Sequence, residues 1–342
     1  MHILSLLYNI MPSTLRKPLP LISLLFLLSI LSFAFAISMG SMHFSIHQLL
    51  TALSTNQDSI AHTIIWELRL PRAYIAFITG GLLALAGVLM QVLLRNPLAD
   101  PYILGVSGGA SVAALFAMSA GLAGSWVSGS AFIGAFISIM LVFSLAHGKG
   151  NWNPARLLLT GVVIAAGWGA AINFILSVSP EKPLRGMLFW LMGDISNISP
   201  NASSLFVLII GLCITFLLAR QLNILSRGDL QARSLGVSVK PLRMGLFLLA
   251  SALTAFAVTQ AGSVGFVGLI IPHMIRLISG SDHRLLIPAS VLLGGSLLVF
   301  SDTLARVIIA PQQLPVGVIT AFLGVPFFLF LLNRSMAGKQ ND

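Results

Sequence analysis

The sequence predicts an all-α protein that crosses a membrane about ten times. Of its 342 residues, 57% are hydrophobic and 8% are charged, whereas an ordinary soluble domain carries about 25% charged residues. The mean hydropathy is +0.97. The apolar residues fall in runs of about 20, the length that an α-helix needs to cross a bilayer. This composition excludes a soluble enzyme, a disordered chain and a nucleic-acid-binding module.

Ten apolar runs follow one another, separated by joints that contain charged residues, glycine or proline. They lie at residues 18–38, 73–94, 103–121, 127–146, 156–178, 203–220, 241–260, 264–279, 285–304 and 315–332. The run at 264–279 is short for a bilayer and contains Pro272, so we expect a broken or tilted helix there. No stretch between the runs could hold a soluble domain, so we predict one transmembrane domain over residues 1–342.

The first run has two interpretations. Arg16 and Lys17 precede it, and Ala34-Phe35-Ala36 resembles a signal-peptidase site. Its apolar stretch is about 20 residues long, beyond the usual 7–15 of a signal peptide. We therefore interpret it as a retained span.

The distribution of positive charge predicts the orientation. With the N-terminus inside, 14 of the 19 Lys and Arg residues fall on the cytoplasmic side. The five outside are Arg69, Arg72, Lys182, Arg185 and Arg306. This bias places both termini in the cytoplasm. It leaves the 179–202 segment outside, where Leu188–Met192 is too short to cross and predicts an interfacial or re-entrant turn.

The sequence offers no internal source of energy or catalysis. It has no G-x-x-x-x-G-K-[ST] phosphate loop, and its acidic residues lie near the ends of the runs. His43 and His47 could share a helical face, but no third ligand lies at motif spacing, so we predict no metal site. Two possibilities remain: a permease that a separate ATPase drives, and an ion-coupled transporter that acts alone.

Three groups of motifs stand in a fixed order along the chain. The first comprises Leu68-Arg69-Leu70-Pro71-Arg72, Asn96-Pro97-Leu98-Ala99-Asp100-Pro101 and Gly105-Val106-Ser107-Gly108-Gly109-Ala110. The second is Gly228-Asp229-Leu230-Gln231-Ala232-Arg233-Ser234-Leu235-Gly236. The third comprises Gly265-Phe266-Val267-Gly268-Leu269-Ile270-Ile271-Pro272-His273, Asp282-His283-Arg284, Asp302-Thr303-Leu304-Ala305-Arg306 and Leu314-Pro315-Val316-Gly317. From about residue 60 to the C-terminus, this ordered set resembles the FecCD family, the permeases of ATP-driven importers for iron–siderophore, haem and cobalamin.

The resemblance implies a permease fold of ten helices in the bacterial inner membrane. It implies a second permease subunit, expected to be identical, two ATPase subunits on the cytoplasmic face and an outer substrate-binding protein. The chain would then be no enzyme and would hold no cofactor, because ATP and Mg²⁺ would bind to the ATPase. Membrane lipid is an expected partner and nucleic acid is not. No residue decides which of the three cargoes is carried.

The loop at residues 221–240 predicts a short helix under the membrane. Asp229 suits the N-terminus of this helix, and Gly236 can end it. The matching family segment docks in a groove of the ATPase, which implies coupling through six residues. These are Gly228, Asp229, Ala232, Arg233, Leu235 and Gly236. The alternative is an ordinary basic inner loop.

The resemblance also implies a cytoplasmic gate and a pathway. The gate candidates are Asn96, Leu98 and Asn153, for which the alternative is a simple proline turn. Span five carries a stripe of small and mildly polar residues at helical spacing: Ala166, Gly169, Ala170, Asn173 and Ser177. This stripe could line the pathway of a bulky chelate or pack closely against another helix.

Three of the outer arginines work against the orientation that the charge bias predicts. Arg69 and Arg72 precede span two, and Arg306 follows span nine. The matching arginines of the family face acidic residues on the binding protein, which implies a docking site. The alternative is local ion pairing with Glu67 and Asp302, although an exposed pair contributes only about 0–1 kcal/mol.

Overall fold

The computed structural model describes residues 18–40, 42, 44–54, 60–146, 154–196 and 202–337, and within them all regular structure is helical. The α-helices are α1 (Pro18–Ser38), α2 (Ile46–Ser54), α3 (Ile60–Leu93), α4 (Val106–Ser119), α5 (Ser125–Ala146), α6 (Pro154–Val178), α7 (Glu181–Leu191), α8 (Ala202–Leu217), α9 (Ala219–Leu225), α10 (Asp229–Ser234), α11 (Val239–Ala261), α12 (Val267–Ser279), α13 (His283–Val307) and α14 (Val316–Ala337). Residues Ile64–Arg69 of α3 form a π-helical stretch, and a 3₁₀ turn spans Pro101–Leu104.

The predicted all-α membrane fold is confirmed, and a helix occupies each of the ten apolar runs. In the part of the chain that the structure describes, six helices are long and apolar enough to cross a membrane: α1, α3, α5, α6, α11 and α13. The pair α8 and α9, bent by 57°, adds a seventh. Because α4, α12 and the apolar part of α14 are shorter, the ten-span count stays a prediction.

Helix α3 is the centre of the molecule. Its most apolar stretch is 94% buried, and the helix packs against α11, α12 and α13. The contacts are backbone to backbone: a Cβ at Gly80 would overlap the carbonyl of Gly294, and one at Gly87 would overlap that of Gly268. Small residues allow such close approach between membrane helices.

Helix α12 begins near the C-terminal end of α3, where Gly268 meets Gly87, and it runs unbroken through Pro272. The expectation of a broken helix is therefore wrong. Proline cannot donate to the carbonyl four residues earlier, and here that carbonyl belongs to Gly268. This oxygen packs against Gly87 of α3.

Several helix ends meet inside the bundle. The C-terminal end of α7 enters it, where the Gly193 carbonyl accepts from the Val316 N–H at 2.9 Å and Gly262 lies against the Trp190 carbonyl. The 3₁₀ turn also reaches inward, because the Tyr102 hydroxyl accepts from the Val264 N–H at 3.0 Å. Eleven residues are too few for α7 to cross a bilayer, and its interfacial or re-entrant position stays a prediction.

We expect Gly87→Ala to destabilise the chain by about 1–3 kcal/mol, because overpacking a tight contact costs that much. Gly245→Ala is the matched control: Gly245 lies in α11, and a Cβ there would meet no atom within 4 Å. The control should be neutral or stabilising, since alanine is favoured over glycine in helices. Thermal unfolding of purified protein in detergent measures both, and an unchanged melting temperature for Gly87→Ala would contradict the close contact.

Candidate functional site

The predicted coupling segment forms a short helix, α10. Gly228 precedes it with φ of 124°, and Gly236 follows it with φ of 78°. Residues other than glycine rarely adopt these φ angles. A Cβ at either position would meet no atom within 4 Å. The glycines are therefore required by the backbone turn and not by crowding. The Gly236 N–H bonds the Arg233 carbonyl at 3.0 Å and closes the helix.

Helix α10 has a buried side and an exposed side. Ala232 is fully buried, while Leu230 is 85% exposed and Leu235 is 63% exposed. Two large apolar side chains on so short a helix form a surface suited to a protein partner.

Asp229 ties α10 to two other helices. Its Oδ1 accepts from Arg243 Nη2 at 2.9 Å, and it forms an ion pair with Arg95. Arg243 is buried near the start of α11, and Arg95 directly follows α3 with φ of 49°, which is uncommon for a residue other than glycine. We call these three residues the Asp229 clamp. Sequence reasoning counted both arginines only as inner charges, since no spacing indicates that they meet Asp229.

The loop of the gate candidates is a series of tight turns that starts at the clamp. Asn96 Oδ1 accepts from the Leu98 N–H at 2.9 Å, and the Asn96 carbonyl accepts from the Ala99 N–H at 3.0 Å. Asn96 is exposed and Leu98 is half-buried. Asn153 lies outside the described residues. The gate assignment stays a prediction, because a simple proline turn would have the same geometry.

The small-residue stripe of α6 faces away from the rest of this chain. Ala166, Ala170, Asn173 and Ser177 are exposed, and a Cβ at Gly169 would meet no atom within 4 Å. Only 6% of the most apolar stretch of α6 is buried. The stripe therefore packs against no other described helix of its own chain and is free for a pathway or for a second copy.

Arg69 is 3% exposed and caps the C-terminus of α1. Its Nη1 donates to the carbonyls of Ile37 and Ser38, and its Nη2 donates to that of Met42 at 2.6 Å. The last carbonyls of a helix lack intrahelical donors, and a guanidinium satisfies them well. These internal hydrogen bonds favour a structural role for Arg69, and its docking of a partner stays a prediction.

Arg72 and Arg306 share one carboxylate. Arg72 Nε lies 3.0 Å from each oxygen of Asp302, and Arg306 Nε lies 3.3 Å from its Oδ2. The side chains of Arg306 and Asp302 are 8% and 1% exposed. The structure thus contains the local ion pair of Arg306 with Asp302, and docking through Arg306 stays a prediction. Arg72 reaches furthest outward, where its Nη1 donates to the exposed Gln313 at 2.8 Å.

A cavity of about 640 Å³ lies on the predicted cytoplasmic side, beside α10. Its walls are Gln91, Val92, Arg95, Pro97, Asn223, Ser226, Arg227, Arg276, Ser281, Asp282 and His283. We call it the basic cavity, because three arginines face one carboxylate. Hydrogen bonds from the Asn223 side chain and the Arg284 N–H hold the pKa of Asp282 below its usual range.

No three His, Cys, Asp or Glu side chains come together to hold a metal in the described parts of the chain. His43, one of the two histidines considered as metal ligands from the sequence, lies outside those parts. Cys213 is a free thiol exposed on α8.

Comparison with known proteins extends these observations to the whole chain. The sequence profile of the FecCD transport family matches residues 26–334. The hemin transport system permease protein HmuU of Yersinia pestis is 42% identical over 321 residues, which cover 91% of this chain and 94% of that protein. The cobalamin import system permease protein BtuC of Halobacterium salinarum is 41% identical over 275 residues, which cover 80% and 74%.

A solved structure has the same fold. It is described as an inward-facing conformation of a metal-chelate type ABC transporter, and it matches with a TM-score of 0.81 at 30% identity over 92% of this chain and 99% of that chain. The family profile, the full-length relatives and the shared fold agree with the order of motifs around α3, α10 and α12. The chain belongs to the FecCD transport family.

Proposed function

We propose that this chain is the permease of a binding-protein-dependent ABC importer that moves an iron(III)–siderophore, haem or cobalamin into the cytoplasm. The observation that carries the proposal is the family match over residues 26–334. The chain is a transport subunit and not an enzyme, and a separate subunit hydrolyses ATP. Relatives named for hemin and cobalamin and a structure named for a metal chelate support this cargo class, with an iron–siderophore as the first candidate.

The distribution of buried charge supports ATP as the energy source. Asp302 is the most deeply buried carboxylate among the described residues, and Arg72 and Arg306 neutralise it. Burial also raises the pKa of Asp100 to about 6, but Asp100 lies in the turn between α3 and α4 and accepts a hydrogen bond from the Tyr102 N–H. A transporter coupled to protons usually carries a buried carboxylate that can titrate. A carboxylate held by two guanidinium groups is a poor candidate for that role.

The importer contains ATPase and substrate-binding subunits besides the permease, which is a multi-pass protein of the inner membrane. We place a second, identical permease against the exposed face of α6, so that Ala166, Gly169, Ala170, Asn173 and Ser177 line a central pathway. The excess of inner Lys and Arg places both termini in the cytoplasm. ATP and Mg²⁺ bind to the ATPase, this chain holds no cofactor, and lipid surrounds the helices.

We assign coupling to α10 and to the Asp229 clamp. The ATPase grips Leu230 and Leu235 on the exposed side of α10, and Gly228, Ala232, Arg233 and Gly236 set the shape of the segment. The clamp joins α10 to Arg95, the residue before the gate candidate Asn96. A displacement of α10 therefore reaches the loop of Asn96 and Leu98 through one ion pair.

We assign Asn153, which precedes α6 in the sequence, to the same gate.

Docking of the binding protein is assigned to Arg72 alone. Arg69, Arg72 and Arg306 lie close enough to influence one another, and the single carboxylate of Asp302 leaves an excess of positive charge. Such a field steers an acidic partner and speeds its association. Arg69 and Arg306 add to the field from within the protein.

We expect Asp229→Asn to uncouple the importer, because the amide keeps the shape of the side chain but loses both ion pairs. ATPase activity stimulated by the binding protein should fall about tenfold in proteoliposomes, while basal activity stays unchanged. Asp194→Asn, on the opposite side of the protein, is the control and should behave as wild type. Full stimulation with normal uptake in Asp229→Asn would refute the clamp.

We expect Arg72→Gln and Arg69→Gln to have different effects. Arg72→Gln should slow association of the binding protein severalfold at low salt, and the difference should vanish at high salt. Arg69→Gln should lower the melting temperature, because three hydrogen bonds to a charged donor are lost at about 1.5–3 kcal/mol each. Surface plasmon resonance and thermal unfolding separate the two effects. A wild-type association rate for Arg72→Gln would contradict the assignment of docking to Arg72.

A further inference from the structure

The basic cavity lies where three parts of the chain meet. The C-terminal end of α3 supplies Gln91 and Arg95, the connection between α9 and α10 supplies Ser226 and Arg227, and the end of α12 supplies Arg276. Its volume of about 640 Å³ is large enough for a side chain from a partner. Arg227 stands two residues before α10, so the cavity and the exposed leucines of α10 belong to one continuous surface.

The polar groups of the cavity wall are largely bonded to each other. Gln91 Oε1 accepts from Arg276 Nη1 at 2.8 Å, and Gln91 Nε2 donates to the Leu269 carbonyl at 3.1 Å. Asn223 Oδ1 accepts from the His283 N–H at 2.9 Å. Asn223 Nδ2 donates to Asp282 Oδ1 at 2.8 Å. The Gln91 and Asn223 side chains are therefore already bonded within the cavity wall.

The arginines, by contrast, keep donors in excess. A guanidinium has five N–H donors, and Arg276 uses those of Nη1 for Gln91. Within the residues that the structure describes, no hydrogen bond or ion pair joins the Arg227 side chain to another group. Arg95 is shared with Asp229. Three guanidinium groups outnumber the single carboxylate of Asp282 in the wall, so the cavity presents an excess of positive charge and N–H donors.

We propose that the basic cavity receives a carboxylate side chain of the ATPase subunit, bound by Arg227 and Arg276. The proposal rests on the proposed function, in which the ATPase covers α10. A guanidinium binds a carboxylate through two parallel hydrogen bonds, and a partner that covers Leu230 and Leu235 comes within reach of Arg227. This contact would be a second attachment of the ATPase, made to the end of α12 and independent of the Asp229 clamp.

The test measures the affinity of the purified ATPase for the permease in nanodiscs of neutral lipid at several salt concentrations. Arg227→Gln and Arg276→Gln should each weaken binding about tenfold and reduce its dependence on salt. Arg284→Gln is the matched control, because Arg284 is exposed beside the cavity and forms no part of its wall. The control should stay within twofold of wild type. Melting temperatures confirm that each variant is folded, and Arg227→Gln removes no hydrogen bond recorded within the chain.

The outcomes separate this inference from the function on which it rests. If the ATPase fails to bind the wild-type permease, the proposed function is wrong. If it binds wild type and both variants equally, the inference alone is overturned. If the variants instead lose retention of phosphatidylglycerol while their ATPase affinity is unchanged, the cavity is a lipid site and the proposal is also overturned. Competition by inorganic phosphate against wild type, absent in Arg227→Gln, would support an anion site for the ATPase.

Discussion

The close contact of α3 with its neighbours is the constraint on which the structure depends. Gly80 and Gly87 let the backbones of α13 and α12 approach to carbonyl contact, which no side chain would permit. In a bilayer, helix association gains little from the hydrophobic effect and relies on van der Waals packing at short distance. The contact at Gly87 also fixes the level at which α12 begins. Gly268 is the second residue of the 13-residue α12, and Arg276 near the other end of α12 bonds Gln91 of α3.

Charged residues tie the helix ends together, and they do so differently at the two sides of the molecule. On the predicted outer side Arg69 caps α1, and Arg72 and Arg306 hold the buried Asp302. On the predicted inner side Asp229 binds two arginines, while Arg227 and Arg276 keep donors to spare. An uncompensated buried charge is costly, so the outer network stabilises the fold. The inner arginines are partly exposed to water, so their excess positive charge costs less free energy and remains available to a partner.

The short helix α10 shows how a weak local structure becomes a firm attachment. Six residues are too few for a helix to be stable alone. Two glycines at positive φ set its ends, Ala232 buries its inner face, and Asp229 bonds it to helices that belong to the core. Its outer face stays apolar and free. An element held on one side and open on the other can transmit a push from a partner into the bundle.

The sequence by itself determined the membrane class, the positions of the ten apolar helices and the limits of α10. Each of these follows from local properties: the length of an apolar run, the angles that glycine permits and the preference of Asp229 for a helix N-terminus. The ordered motifs also identified the family. Only the tertiary structure decided the roles of Arg69, Arg95 and Arg243, because their partners lie elsewhere in the chain, and it showed that Arg306 forms the local pair with Asp302. Whether a guanidinium caps a helix, neutralises a carboxylate or stays available depends on which carbonyl or carboxylate the fold brings beside it. The packing of the helices makes that choice, and a charge count along the sequence does not contain it.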